Sequence, residues 1–275
     1  MSDIDFSAIH NIADADERYA AVSNLVDTVE LAPLPRTETR YGLGISDDAS
    51  SDAANAKADG PSGSVAGAAA ASFAPDVSDE DKEAVNLCML FAQRAVLAKH
   101  PGGILTEAAL NMYRGILMTL GWPMPVMSFR EVSSSELRGR CDTVVLGLMA
   151  GFMNADAIKL FRLVLGGIEN DQKASDIFNS NAKKDKGGSF STGAVSMDSG
   201  LVKMDFGMYA VETSVNIDKF LWFEFRNANA KVNISYAEAR LVKSVWGPLR
   251  DKVLKRLDKE SGNIIDNIPL ADPSK

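Results

Sequence analysis

Residues 199–236 read SGLVKMDFGMYAVETSVNIDKFLWFEFRNANAKVNISY. Near the centre lies an uninterrupted apolar knot, Phe220-Leu221-Trp222-Phe223, in a chain of net charge -8. A buried strand, a partner surface and a membrane-entering hairpin would each use such a knot. The surrounding pattern favours the strand. Val202, Met204, Phe206 and Met208 alternate with Leu201, Lys203, Asp205 and Gly207, the two-residue period of extended chain. Val211, Thr213, Val215 and Ile217 continue in the opposite phase, which predicts a bulge or a bend. Lys219 to Arg226 reads as the next strand and Lys231 to Tyr236 as its neighbour, with Asn227-Ala228-Asn229-Ala230 as the hairpin loop.

In the strand that carries the knot, Leu221, Phe223 and Phe225 point one way, and Phe220, Trp222 and Glu224 the other. A strand with one wet face alternates cleanly, and this one does not, so both faces are expected to be covered. Trp and Phe are also enriched at oligomer interfaces, which makes Phe220 and Trp222 candidate interaction residues. A membrane hairpin needs about 9 to 11 residues per strand, more than this segment supplies.

Upstream the period is helical. Ser78 reads as an N-cap, Asp79, Glu80 and Asp81 fill a first turn, and Val85, Cys88, Met89, Ala92, Ala95 and Val96 share a face. His100-Pro101-Gly102-Gly103 stops that helix. A second helix runs from Thr106 to Trp122-Pro123, and Val126 to Val132 is a short strand or a connector. A third helix starts near Ser135, and a fourth follows Asn154 and ends at Gly166-Gly167. Glu169 to Gly188 reads as a solvated loop. The chain closes with a helix from about Ser244 to Lys259 that buries Val245, Leu249, Val253 and Leu257, and the tail after Gly262 reads as an extended strap. The expected fold is α+β: a layer of about four helices, an antiparallel meander and a C-terminal amphipathic helix. The body spans 76–268, with helices over 76–168, the loop over 169–188 and the β part over 189–268.

Two segments precede that body. Residues 1–44 form an acidic arm with one short helix, on which Tyr19, Val22, Val26 and Val29 make a stripe. Residues 45–75 read as a flexible linker, because 26 of the 31 are Ala, Gly, Ser, Pro or Asp and offer little to bury. Charge is segregated along the chain. Residues 1–80 hold 15 acidic and 4 basic side chains, whereas the rest hold 22 and 25. Lys243, Arg250, Lys252, Lys255, Arg256 and Lys259 crowd the closing helix. Three partners suit that face: solvent alone, an anionic surface, or the acidic arm of this chain or of a neighbouring copy. Charge segregation favours the arm. Tyr19, Val22, Val26, Arg250, Lys252, Lys255 and Arg256 are accordingly candidate interaction residues.

Chemistry is hard to find. Two histidines, His10 and His100, and two cysteines, Cys88 and Cys141, show no zinc spacing, and the cysteines read as buried thiols of a reducing compartment. No GxxxxGK[ST] loop or GxSxG elbow occurs, and Ser180-Asn181-Ala182-Lys183 is an SxxK match in a polar stretch. Glu224, set in an apolar strand, is the candidate buried carboxylate, and Glu107, Glu131 and Glu212 are other carboxylates for acid–base work. No cofactor or metal is expected. Net acidity argues against nucleic acid. The N-terminus lacks a secretory signal pattern and no apolar run is long enough to span a bilayer, so synthesis and folding in the cytoplasm are expected, with membrane contact but no membrane span. The leading expectation is a non-enzymatic self-assembling or macromolecule-binding protein whose acidic arm connects subunits, with itself or another protein as partner. The alternatives are a membrane-active toxin or effector and a carboxylate-dependent hydrolase.

Overall fold

A computed structural model describes residues 4–33, 61–132, 138–184, 186–214, 217, 219, 221–225, 230–260 and 265–269. The arm carries α1 (Phe6–His10) and α2 (Ala15–Thr28). There follow β1 (Ser62–Ala66), β2 (Ala69–Phe73), α3 (Asp79–Lys99), α4 (Glu107–Thr119), β3 (Arg130–Glu131), β4 (Gly139–Arg140), α5 (Cys141–Met149), α6 (Ala155–Asn170) and α7 (Gln172–Ala182). Then come β5 (Lys183–Lys184), β6 (Gly187–Asp198), β7 (Leu201–Thr213), β8 (Glu224–Phe225), β9 (Ala230–Arg240), α8 (Lys243–Trp246), a 3-10 turn (Gly247–Leu249), α9 (Arg250–Glu260) and β10 (Ile265–Pro269).

The main sheet has the order β10-β1-β2-β6-β7-β9-β3, with β5 added on β6. Its pairs are antiparallel except β2 with β6, which run parallel. Helices cover both faces. Against one face, α2, α3, α4 and α9 enclose a core with Phe73, Met204, Phe206 and Met208 from the strands. Against the other, α5, α6 and α7 enclose a core with Phe190, Tyr209, Val211 and Ile234. The class is α+β. The helices are split between the two faces of the sheet instead of forming one layer.

That split explains the change of phase in β7. The ladder with β6 is unbroken from Gly187↔Glu212 to Asp198↔Leu201, so there is no bulge. Val202, Met204, Phe206 and Met208 enter the first core, and Tyr209 and Val211 enter the second. A central strand buried on both faces changes its apolar phase where the larger side chains change core.

Two more expectations are corrected. Within the expected linker 45–75, residues 45–60 lie outside the described ones, but 62–73 form the β1–β2 hairpin. Val65, Ala66, Ala69, Ala70, Ala71 and Phe73 are buried there. Gly67 turns the hairpin at φ +60°, a left-handed value that glycine accepts without strain. The small side chains let helices lie close: a Cβ on Gly63 would stand 2.5 Å from Val164 Cγ2 of α6. The body therefore starts near Ser62, not at Asp76. The expected loop 169–188 contains α7, capped by Asp171 on the Ala174 N–H and buried at Ile177 and Phe178.

The expected strand Lys219–Arg226 is, among the described residues, only Glu224–Phe225, paired with β4 in a separate two-stranded sheet. The expected hairpin loop Asn227–Ala230 falls mostly on residues outside the described ones. So does the start of the third helix at Ser135; the described helix begins at Cys141. The closing helix is interrupted by the 3-10 turn at Gly247-Pro248-Leu249, where Pro248 has no N–H to donate. The tail joins the sheet, β10 pairing with β1.

Candidate interaction surfaces

The acidic arm docks on the body of its own chain. Asp14 caps α2 by accepting from the Asp16 and Glu17 N–H groups. Val22 and Val26 are buried in the first core, together with Val29 and Leu31, while Tyr19 stays 42% exposed on the outer side of the stripe. The C-terminal end of α2 leaves carbonyl oxygens without helical partners. Arg256 of α9 fills that need, its guanidinium donating to the Val26 and Val29 carbonyls at 2.6 Å each. Arg94 of α3, fully buried, donates through Nε to the Ala32 carbonyl at 2.8 Å. Lys252 pairs with Asp27 at 2.5 Å. At the other end, the Phe6 ring of α1 lies over Gly115 of α4, and His10 Nε2 is 3.3 Å from Thr119 Oγ1. Burial, reinforced by the Arg114 charge, lowers the His10 pKa from its ordinary 6.5.

The basic helix divides its work. Lys252 and Arg256 hold the arm, Arg250 pairs with Glu83 at 2.6 Å, and Lys255 is exposed. Arg250 thus ties α9 to α3, whereas Lys252 and Arg256 form the joint with the arm.

A second surface surrounds α5. Cys141, Val144, Val145 and Met149 are buried, and Leu146 and Leu148 are half-buried, packed against the second core. The Cys141 N–H donates to the Phe223 carbonyl at 2.8 Å and the Asp142 N–H to that of Leu221 at 2.9 Å, so the apolar knot packs at the start of this helix. Leu221 is buried, and Trp222 and Phe223 are half-buried. Phe220 lies outside the described residues. Past the end of α5, Phe152 stacks on Tyr236 with centroids 4.6 Å apart and planes 4° apart, and Tyr236 is 53% exposed. Sequence reasoning did not select Leu146, Leu148, Phe152 and Tyr236 for this surface. The signal for Leu146, Leu148 and Phe152 is that residues 144–153, VVLGLMAGFM, are apolar all round, which exceeds what one buried helix face needs; Tyr236 shares the alternation of Val232 and Ile234 and carries no such signal.

Glu224 is not a buried carboxylate. It is exposed, and its backbone pairs opposite Arg140 in the small outlying sheet, not in the central one. The cysteines are buried. Burial, with the nearby Asp142 charge, pushes the Cys141 thiol up to about 12, and burial also raises that of Cys88. Among the described residues no group of three or more His, Cys, Asp or Glu side chains could hold a metal ion, and no helix is long and apolar enough to cross a membrane.

No family model and no curated protein matches the chain. A solved structure, described as "Structure of the Evf virulence factor", is similar at 13% identity and a TM-score of 0.29, over 94% of this chain and 89% of that one. A likeness of that degree carries no argument about this chain.

Proposed function

We propose that this chain is a non-enzymatic protein that acts by self-assembly, through the apolar surface around α5. The observation that carries the reading is the set of partly exposed apolar side chains at the rim of the second core, Leu146, Leu148, Phe152, Trp222 and Phe223, with the 53% exposed Tyr236 stacked on Phe152. An apolar patch with aromatic anchors and few charges has the composition of an interface centre. The arm supports the same reading. Its joint is non-covalent, and residues 34–60 between arm and body supply enough chain for the joint to form within one copy or between two.

Light scattering after size exclusion, over a concentration series, tests the proposal. The chain should form a defined oligomer, and Tyr236→Asp, at the exposed member of the surface, should return it to a monomer with its circular dichroism intact. A monomeric chain at every concentration rejects assembly. A second reading is favoured by Trp222 and Tyr236, whose amphipathic rings beside an apolar helix suit a bilayer–water boundary: contact with a membrane. Dye release from anionic liposomes that Tyr236→Asp abolishes, with circular dichroism unchanged, would support it.

A further inference from the structure

The face of the sheet that carries α6 ends in a cleft of about 150 Å³, lined by Ser72, Asn154, Asp156, Ala157, Ser196 and Asp205 among others. The cleft lies at the carboxyl ends of the parallel pair β2 and β6, where Ser72 sits opposite Ala194. The N-terminus of the 16-residue helix α6 faces it. In α/β structures this is where the strand ends open and helix amides point outward.

A second observation is independent of the helix. Ser72 is 1% exposed, and among the described residues its hydroxyl has no hydrogen-bond partner although it lines the cleft. An orphaned buried hydroxyl costs free energy unless something satisfies it. Two residues back along β6, the Thr192 hydroxyl is buried on the same face, beside the Tyr209 hydroxyl. Asp205, 8% exposed, stands across β6 from Ser72 and has spare acceptor capacity. Its contact with Lys203 Nζ is 3.3 Å, longer than the 2.8 Å that Lys203 makes with Glu238.

Charge selects the ligand class. The cations around the cleft are engaged: Lys159 with Asp156, Lys203 with Asp205 and Glu238, and Arg240 with Asp198 and Glu238. An anion would meet more carboxylates than cations. A cation would meet the positive end of the α6 dipole. Hydroxyl groups suit both sides, because each donates to a carboxylate and accepts from an amide or a serine. A cleft of about 150 Å³ holds several waters, enough for a short polyol or one edge of a sugar ring. We propose that this cleft binds a small neutral polyhydroxy compound, held by Ser72, Asp205, Ser196 and the first turn of α6. The proposal is independent of the assembly reading.

The test is a titration of the full chain with glycerol, glucose, inorganic phosphate and methylammonium, read as amide shifts in a heteronuclear NMR spectrum. Glycerol or glucose should move the amides of Ser72, Ala157 and Asp205, and phosphate and methylammonium should not. Ser72→Ala, which removes one small polar group, should weaken binding about tenfold while the remaining spectrum is kept. Three results overturn the proposal: no shift with either polyol, preference for phosphate or methylammonium, or unchanged binding by a folded Ser72→Ala chain. Should Ser72→Ala fail to fold, the wild-type titration decides alone.

Discussion

Arg256 donates to the Val29 carbonyl oxygen at 2.6 Å, across 227 positions of sequence. With the bond to Val26, one guanidinium ties off the end of α2 and holds the arm on α9. Arg256→Ala should cost about 1.5–3 kcal/mol, the range for hydrogen bonds to a charged group. Arg256→Lys should recover part of this, because an ammonium lacks the planar fork. Chemical denaturation checks the first point. Faster amide exchange in 15–28, with the sheet unchanged, checks that the loss is local to the arm.

Phe6 and Gly115 form a second checkable pair. A Cβ on Gly115 would lie 2.5 Å from two atoms of the Phe6 ring. Alone, Gly→Ala in a helix stabilises by roughly 1 kcal/mol. Gly115→Ala should therefore destabilise the wild-type arm, yet stabilise a Phe6→Ala chain in which the ring is gone. A double-mutant cycle without this coupling would remove Phe6 as an anchor of α1.

The boundary of the body predicts the outcome of two truncations. A chain beginning at Pro61 keeps β1 and β2 and should fold, though with part of the first core uncovered. A chain beginning at Asp76 loses the two strands that lie between β10 and β6. It should lack a cooperative thermal transition. Cooperative unfolding of the Asp76 chain would show that the hairpin is dispensable.

His10 should make arm docking pH-dependent. Its pKa is lowered in the folded chain, so in the window just below 6.5 the unfolded chain binds more protons than the folded one. Docking is then at full strength above 6.5, weakens as pH falls through that window, and levels off below the folded pKa. The imidazole resonances should titrate below 6.5, and His10→Gln should flatten the dependence of arm exchange on pH. A ring titrating at or above 6.5 would contradict the burial.

Cys88 and Cys141 should resist alkylation in the native chain, since the thiolate is the reactive form and burial raises both thiols. Labelling should keep pace with unfolding as denaturant is added. Rapid native labelling of Cys141 would mean that the α5 surface opens readily.

The two outer regions of the candidate surfaces differ in how far they could be read. The Val22–Val26 stripe and the basic side of the closing helix are periodic, so both were evident before any contact was known. That Arg256 caps α2 while neighbouring Lys255 stays exposed depends on the angle at which the two helices meet. Glu224 failed as a candidate because alternation over 219–226 does not say whether the segment joins the central sheet or an outlying pair.

The sequence by itself determined the helix starts and the long alternating run, because those signals act over a few residues. Ser78, Thr106 and Asn154 accept from the Asp81, Ala109 and Ala157 N–H groups, as caps should. The turn Ser199-Gly200 joins β6 to β7 between two long period-two runs. Only the tertiary structure decided where residues 62–73 belong. Composition measures how much side chain a segment can bury, and an Ala- and Gly-rich segment scores low. A central strand beneath two helical layers gains instead from ladders on both edges and from close approach, as at Gly63 against Val164. That gain exists only when the helices are in place, and no property of the segment alone reports it.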